Sequence, residues 1–217
     1  MEKILKKENI FSSMRKELSS AIISDALDKI GVQNRIMRPD LKPIFREAKT
    51  AGRAYTVEYA NLENPDEYPN MSMREIVDRH IVKDSIIVIG CNQSKRASIW
   101  AEMMSIGAMN RGAIGVVADG PVRDVIEMTE LQFPVFCTGR TPAAATNRMS
   151  VIKHGDCVNC GDLLVKTGDI VFGDYDGIIV IPRHCEEEVL KLAFEACNKE
   201  KVLREKLLHG ADLMSLD

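Results

Sequence analysis

The segment Gly112-Ala-Ile-Gly115-Val-Val-Ala-Asp119-Gly120-Pro121-Val122-Arg123-Asp124-Val-Ile-Glu127 reads as a buried strand running into a helix. Ala113 to Ala118 supplies a strand-length apolar run. Pro121 suits a first helical turn, where its missing N–H costs nothing, so a helix is expected over Val122 to Leu131. The same alternation continues on both sides. Ser85 to Gly90 is a continuous apolar run that suits a strand covered on both faces; Ser98 to Arg111 reads as a helix and Val135 to Thr138 as a strand. Strand, helix, strand, helix, strand with short connections implies an at least partly parallel sheet with right-handed crossovers.

Working outward, Ile10, Phe11, Met14 and Leu18 lie at helix spacing, and Ser20 to Ile30 forms a second helix ending at Gly31. After Pro39 and Pro43 the pattern is strand-like at Ala54 to Ala60. A polar loop over Asn61 to Asn70 leads to a short helix, Ser72 to His80. Toward the C-terminus, Leu163 to Lys166, Ile170 to Gly173 and Gly177 to Ile181 are separated by Thr167-Gly168-Asp169 and Asp174-Tyr175-Asp176, which read as hairpin turns. A last helix spans about Cys185 to Leu208 and stops at Gly210. The expectation is one domain over residues 1–217, with an α/β core, a β-rich section and terminal helices.

Composition narrows the function classes. The 217 residues are 45% hydrophobic, enough for a core, and carry 29 basic against 32 acidic residues for a net charge of −3. No basic excess marks a nucleic-acid binder. No apolar run approaches the roughly 20 residues of a membrane span. The charge-mixed start, Met1 to Glu8, lacks an apolar core for a secretory signal, so a cytoplasmic protein is expected. The six cysteines read as reduced thiols. Cys157-Val-Asn-Cys160 has metal spacing but no second ligand pair, and buried structural thiols are expected there.

Open α/β sheets bind ligands at the carboxyl ends of their strands, which is where Asp119 to Asp124 falls. Arg123 offers a planar fork for a carboxylate and Asp124 a hard oxygen for Mg²⁺ or Mn²⁺. Glu127 shares their helix face, so an exposed Arg123–Glu127 pair is the plain alternative. The four histidines are isolated in sequence, and no Gly-rich loop resembles a nucleotide site.

Taken over Ile23-Ser24-Asp25-Ala26-Leu27, Ala101-Glu102, Gly112 to Asp124 and Gly168-Asp169 to Pro182, the chain resembles the family that unites 4-hydroxy-4-methyl-2-oxoglutarate/4-carboxy-4-hydroxy-2-oxoadipate aldolases with the regulator of ribonuclease E activity. The resemblance implies an α/β fold, a swivelling β/β/α-type sandwich with a mixed sheet, N-terminal helices and a long C-terminal helix at a subunit interface. It also implies a metal-dependent (class II) pyruvate aldolase, a carbon-carbon lyase working as a homotrimer or homohexamer on a small 2-oxo acid, with oxaloacetate decarboxylation as a side activity. In that reading Arg123 grips the keto acid and Asp124 ligates Mg²⁺ (or Mn²⁺). Glu102 holds metal waters, as does Glu200 from the neighbouring subunit's last helix. The substrate meets Ala101, Glu102, Met103 and Met104. Many relatives carry Gly where this chain has Ala101. The alternative from another class is a non-catalytic regulator that binds a ribonuclease as protein. A Schiff-base route finds no support, since Lys83, Lys95, Lys153 and Lys166 have no distinguishing context.

Overall fold

The computed structural model describes residues 10–62 and 71–215. The charge-mixed start and most of the loop expected over 61–70 lie outside the described residues. Two N-terminal helices, α1 (Ile10–Glu17) and α2 (Ser20–Lys29), precede a short β1 (Lys42–Pro43) and a long β2 (Thr50–Asn61). The central run is α3 (Met73–His80), β3 (Ser85–Gly90), α4 (Glu102–Asn110), β4 (Gly115–Val122), α5 (Val125–Glu130) and β5 (Val135–Arg140). Then come β6 (Met149–His154), β7 (Cys157–Cys160), β8 (Leu163–Lys166), β9 (Ile170–Gly173), β10 (Ile178–Ile181) and the long α6 (Glu186–Leu208).

The main sheet runs β1-β5-β4-β3-β2-β9-β10, with β6 also on β2. Strands β2 to β5 are mutually parallel; β1, β6, β9 and β10 join antiparallel. Every residue of β3 is buried, which explains its unbroken apolar sequence: α3 and α4 cover one side, and the β7–β8 pair approaches the other. Gly90 is required at that approach, because a Cβ there would stand 2.2 Å from the Asn159 carbonyl oxygen. Strand β2 serves two partners on one edge, β9 along Thr50–Arg53 and β6 along Val57–Asn61, with a bulge between Glu58 and Tyr59. The bulge increases local twist and the mixed sheet curls.

Apolar packing falls into three regions. One lies between the parallel strands and α3, α4 and α5 and includes Ile87, Ile89 and Trp100. A second lies under the β7–β8 pair around Phe136 and Val88. The third joins α1, α2 and α6 to β9 and β10 through Leu18, Ile23, Phe172 and Val189. Each fully buried Ile, Val or Phe stabilises by roughly 1.5 to 3 kcal/mol relative to exposure, so the apolar runs read from sequence are what hold the sheet.

Several local expectations are corrected. The Thr167-Gly168-Asp169 turn does not close a hairpin, because β8 pairs with β7 whereas β9 pairs with β2 and β10. Asp174-Tyr175-Asp176 does turn the β9–β10 hairpin. The Asp174 carboxylate also accepts bonds from the backbone N–H and the hydroxyl of Ser20, at 2.8 and 2.7 Å, tying the turn to the start of α2. The cap of that helix is Ser19, whose hydroxyl accepts the Ile22 N–H at 3.3 Å. Helix α4 begins at Glu102, four residues later than expected, because Ser98 bridges to Ala144 and Ile99 donates to the Pro121 carbonyl.

Candidate active site

Strand β4 does not end at Ala118. Its pairing with β3 stops there, but its pairing with β5 resumes after an irregularity, with Pro121 opposite Gly139 and Val122 opposite Arg140. Proline is accepted in a strand at such a break, and the Pro121 carbonyl takes the Ile99 N–H at 3.0 Å. The expected helix therefore starts not at Val122 but at Val125, with Asp124 as its cap residue. Asp124 sits in the left-handed region, φ 57° and ψ 43°, and its side chain makes no cap hydrogen bond. Aspartate is one of the few non-glycine residues that enter this region readily, as seven other non-glycine residues of the described chain also do.

Arg123 stands between two adjoining hollows. One, of about 340 Å³, is lined by Ser98, Trp100, Ala101, Met104 and Arg74 among others. The second, of about 350 Å³, is lined by Arg123 and Asp124 with Arg140 and Thr141. The Arg123 Nε and the Asp124 carboxylate are 3.7 Å apart, each about two-fifths exposed. No Arg123–Glu127 ion pair appears among the described residues, so the plain exposed-pair alternative is not what the fold builds.

The entry to α4 is fixed against the exit of β4. The Trp100 carbonyl accepts both the Arg123 N–H, at 3.1 Å, and the Ser98 hydroxyl, at 2.7 Å. The buried Trp100 indole N–H donates to the Ser105 hydroxyl at 2.8 Å, and that hydroxyl donates to the Ala101 carbonyl at 3.2 Å. Ala101 is the α4 cap residue in extended backbone, φ −159° and ψ 174°, with no side-chain cap. Any residue adopts that conformation, so Ala101 introduces no strain. The Glu102, Met103 and Met104 amides open the helix without intrahelical acceptors, which makes this end receptive to an anion.

The structure thus brings Arg123, Ala101 and Met104 to one cleft and Asp124 to its neighbour. Glu102 and Met103 occupy the first turn of α4, though their side chains are not in the lining of either hollow, and Met103 is 67% exposed. Glu200 lies exposed on α6, which packs against α2, and lines neither hollow. Arg74 and Arg140 were not foreseen. Arg140 ends a parallel strand beside β4, a position the strand-end rule points to; nothing in the sequence marks Arg74.

Asp119 belongs to the same motif but faces away. It is 3% exposed, ion-paired with Arg38, and accepts the Gly161 N–H at 3.2 Å. Burial pushes its carboxyl above the usual range, offset in part by the Gly161 N–H and by Arg38. Its role is internal support.

Two histidines that look isolated in sequence meet in space. The His80 and His154 rings are 4.9 Å apart, and the Tyr55 hydroxyl is 2.8 Å from His154 Nδ1. Burial first, and then His80, lowers the His154 pKa, while Glu75 opposes. A histidine whose folded pKa is depressed contributes full stability above its unfolded pKa of about 6.5, lost as pH falls through it. The melting temperature of the wild type should therefore drop more between about pH 7.5 and about pH 5.5 than that of His154→Asn. Parallel pH profiles of the two proteins would contradict this. Among the described residues no three His, Cys, Asp or Glu side chains gather as a metal cage. Cys157 and Cys160 are free, on the paired strand β7; Cys160 is buried as expected, whereas Cys157 is only partly buried. No described helix is long and apolar enough to cross a membrane.

A curled mixed sheet with a cleft beside Arg123, at the carboxyl ends of its parallel strands, defines a protein of the open-sheet α/β class. The family model described as Aldolase/RraA matches residues 20–180, and the chain belongs to that RraA-like family. A Halalkalibacterium halodurans protein, provisionally named a 4-hydroxy-4-methyl-2-oxoglutarate aldolase, is 31% identical over 84% of this chain and 81% of its own length. Protein DlpA of Legionella pneumophila is 29% identical over 90% of this chain, which spans 31% of the DlpA length. Among solved structures, Streptomyces coelicolor RraAS2, described as an unusual member of the RNase ES inhibitor RraA protein family, superposes with a TM-score of 0.78 at 24% identity, covering 89% of this chain and 94% of its own.

Proposed function

We propose that this protein is a divalent-metal-dependent aldolase that cleaves a 4-hydroxy-2-oxo acid to pyruvate. The observation that carries the reading is Asp124 beside Arg123, 3.7 Å apart, set where the uncapped start of α4 meets the end of β4. The provisional naming of relatives as aldolases supports it.

The donor set suits Mg²⁺ or Mn²⁺. One half-exposed carboxylate, Asp124, with no cage of further acids among the described residues, fits an ion that keeps several of its waters and binds through one or two carboxylates. Bound there, the ion would supply Lewis-acid stabilisation of negative charge on the keto oxygen. Arg123 holds the substrate carboxylate with its planar fork and adds positive charge beside the developing enolate. The Glu102 to Met104 amides orient the same end of the substrate through their dipoles. Glu102, in the first turn of α4, would polarise a water that takes the proton of the leaving alcohol. In this reading Glu200 of a second copy completes the water network, in a homotrimer or homohexamer, and oxaloacetate is decarboxylated through the same enolate.

The test is pyruvate release from a panel of 4-hydroxy-2-oxo acids and oxaloacetate, with and without Mg²⁺. Release independent of metal after exhaustive chelation, or none with any substrate, would overturn the proposal. Within it, Arg123→Lys should lower kcat/KM on oxaloacetate roughly 10- to 150-fold, since one charge-assisted bond of about 1.5 to 3 kcal/mol is lost. Part of the loss should fall on kcat. Near wild-type constants would remove Arg123 from the reaction.

A further inference from the structure

We infer that His80 and His154 together form a binding site for a transition-metal ion of the Zn²⁺, Ni²⁺ or Cu²⁺ kind, separate from the cleft and independent of the aldolase reading. The cleft takes Met73 and Arg74 from the start of α3 and Tyr59 from β2. His80 ends α3, and Tyr55 lies four residues before Tyr59 on β2, so the histidine pair sits roughly 10 Å farther along both elements.

Three observations converge on a metal ion. The two imidazoles come from different elements, the end of α3 and the end of β6, yet their ring centroids are 4.9 Å apart and the rings are tilted by 51°. A zinc-bound imidazole nitrogen lies about 2.0 to 2.1 Å from the ion, which puts its ring centroid about 3.2 Å away. Centroids 4.9 Å apart then subtend about 100° at the ion, between the octahedral and tetrahedral angles. Tyr55, in turn, holds both rings. Its hydroxyl is 2.8 Å from His154 Nδ1, and its ring lies 6.0 Å from that of His80, nearly parallel at 20°. With Nδ1–H donating to the tyrosine oxygen, the Nε2 lone pair of His154 is left for a ligand, just as an outer-shell partner sets the tautomer of a metal-bound histidine. His154 is also kept in the form that ligates: burial, and then His80, lower its pKa, and only neutral imidazole binds metal.

Imidazole suits Zn²⁺, Ni²⁺ and Cu²⁺, whereas the carboxylate of Asp124 suits harder ions, so the two sites differ in the ion they take. Glu75, the acid whose charge acts on His154, is engaged with Arg79 at 2.7 Å. No third His, Cys, Asp or Glu joins the pair among the described residues, and the ion keeps waters in its remaining positions.

Calorimetric titration of the full chain with Ni²⁺, in excess Mg²⁺, tests this. Wild type should bind one Ni²⁺ per chain. His80→Asn and His154→Asn should each weaken binding about 100-fold or more, and Tyr55→Phe, which keeps both imidazoles, about 10- to 100-fold, the cost of losing an outer-shell partner. Asp124→Asn should bind Ni²⁺ as wild type does. His80 is exposed at the helix end, so His80→Asn should keep the wild-type melting temperature and test the site without unfolding. Absence of Ni²⁺ binding to wild type, unchanged affinity in His80→Asn, or loss of binding in Asp124→Asn overturns the inference and leaves the two histidines as a packing contact. Wild-type affinity in Tyr55→Phe overturns the orienting role of Tyr55.

Discussion

Asp124→Asn should abolish metal-stimulated pyruvate release while leaving the melting temperature unchanged. Asparagine keeps the size of the side chain and tolerates positive φ as aspartate does, so the left-handed backbone at φ 57° is undisturbed. What disappears is the anionic oxygen. A Lewis acid contributes several kcal/mol to charge stabilisation, and losing about 4 kcal/mol corresponds to a rate loss of roughly 1,000-fold. Two companions separate chemistry from strain. Asp124→Ala should be equally inactive and also somewhat less stable, because alanine enters the left-handed region less readily than aspartate or asparagine. Asp124→Gly should be inactive at wild-type stability. Steady-state kinetics over a Mg²⁺ titration, paired with thermal melts, give both readouts. An Asp124→Asn enzyme keeping more than about a tenth of wild-type activity would leave the metal role without its ligand.

The largest effect on stability is expected at Arg38. Its guanidinium pairs with the buried Asp119 and also reaches Asp40, at 2.7 Å, and Asp162, at 3.3 Å, which are exposed. Arg38→Met strands a carboxylate that is 3% exposed, with only the Gly161 N–H left to it. Breaking a buried pair in this way costs about 3 to 5 kcal/mol, or roughly 6 to 20 °C in melting temperature for a chain of this size. The reverse change, Asp119→Asn, should cost less, because Arg38 keeps two acidic partners and the Gly161 N–H keeps an oxygen acceptor. Denaturant melts of the two variants decide this, and equal or inverted losses would contradict the asymmetry.

The fold was legible where side chains alone carry the signal. Ile86 to Ile89 and Ile178 to Ile181 are apolar without interruption because both faces of their strands are covered, and both runs are fully buried. The motif boundary was misread for a physical reason. Pro121 is as compatible with a first helical turn as with a strand irregularity, and what selects the strand is pairing with Gly139 and Arg140, which local sequence does not contain. Of the residues singled out, Arg123, Ala101 and Met104 share one cleft, because two strand-to-helix junctions are fastened through the Trp100 carbonyl. The opposite duty of Asp119 depends on Arg38, 81 residues earlier, a separation that leaves no local trace. Arg74 was likewise unreadable, since an exposed arginine early in a helix is unremarkable until the helix is seen to border a cleft. The left-handed backbone of Asp124 is permitted by its residue type but not announced by it.

That backbone also shapes how the gene can change. Single-base substitutions in an aspartate codon reach asparagine, glycine, histidine, alanine, valine, tyrosine and glutamate. Positive φ favours asparagine and glycine among these, with histidine next, and penalises the β-branched valine most. A lineage released from selection for the carboxylate would therefore drift first to asparagine or glycine at position 124 and remain folded. In descendants of this chain, such a replacement beside an intact Asp119 would be the genetic signature of a protein that had abandoned its chemistry while keeping its architecture.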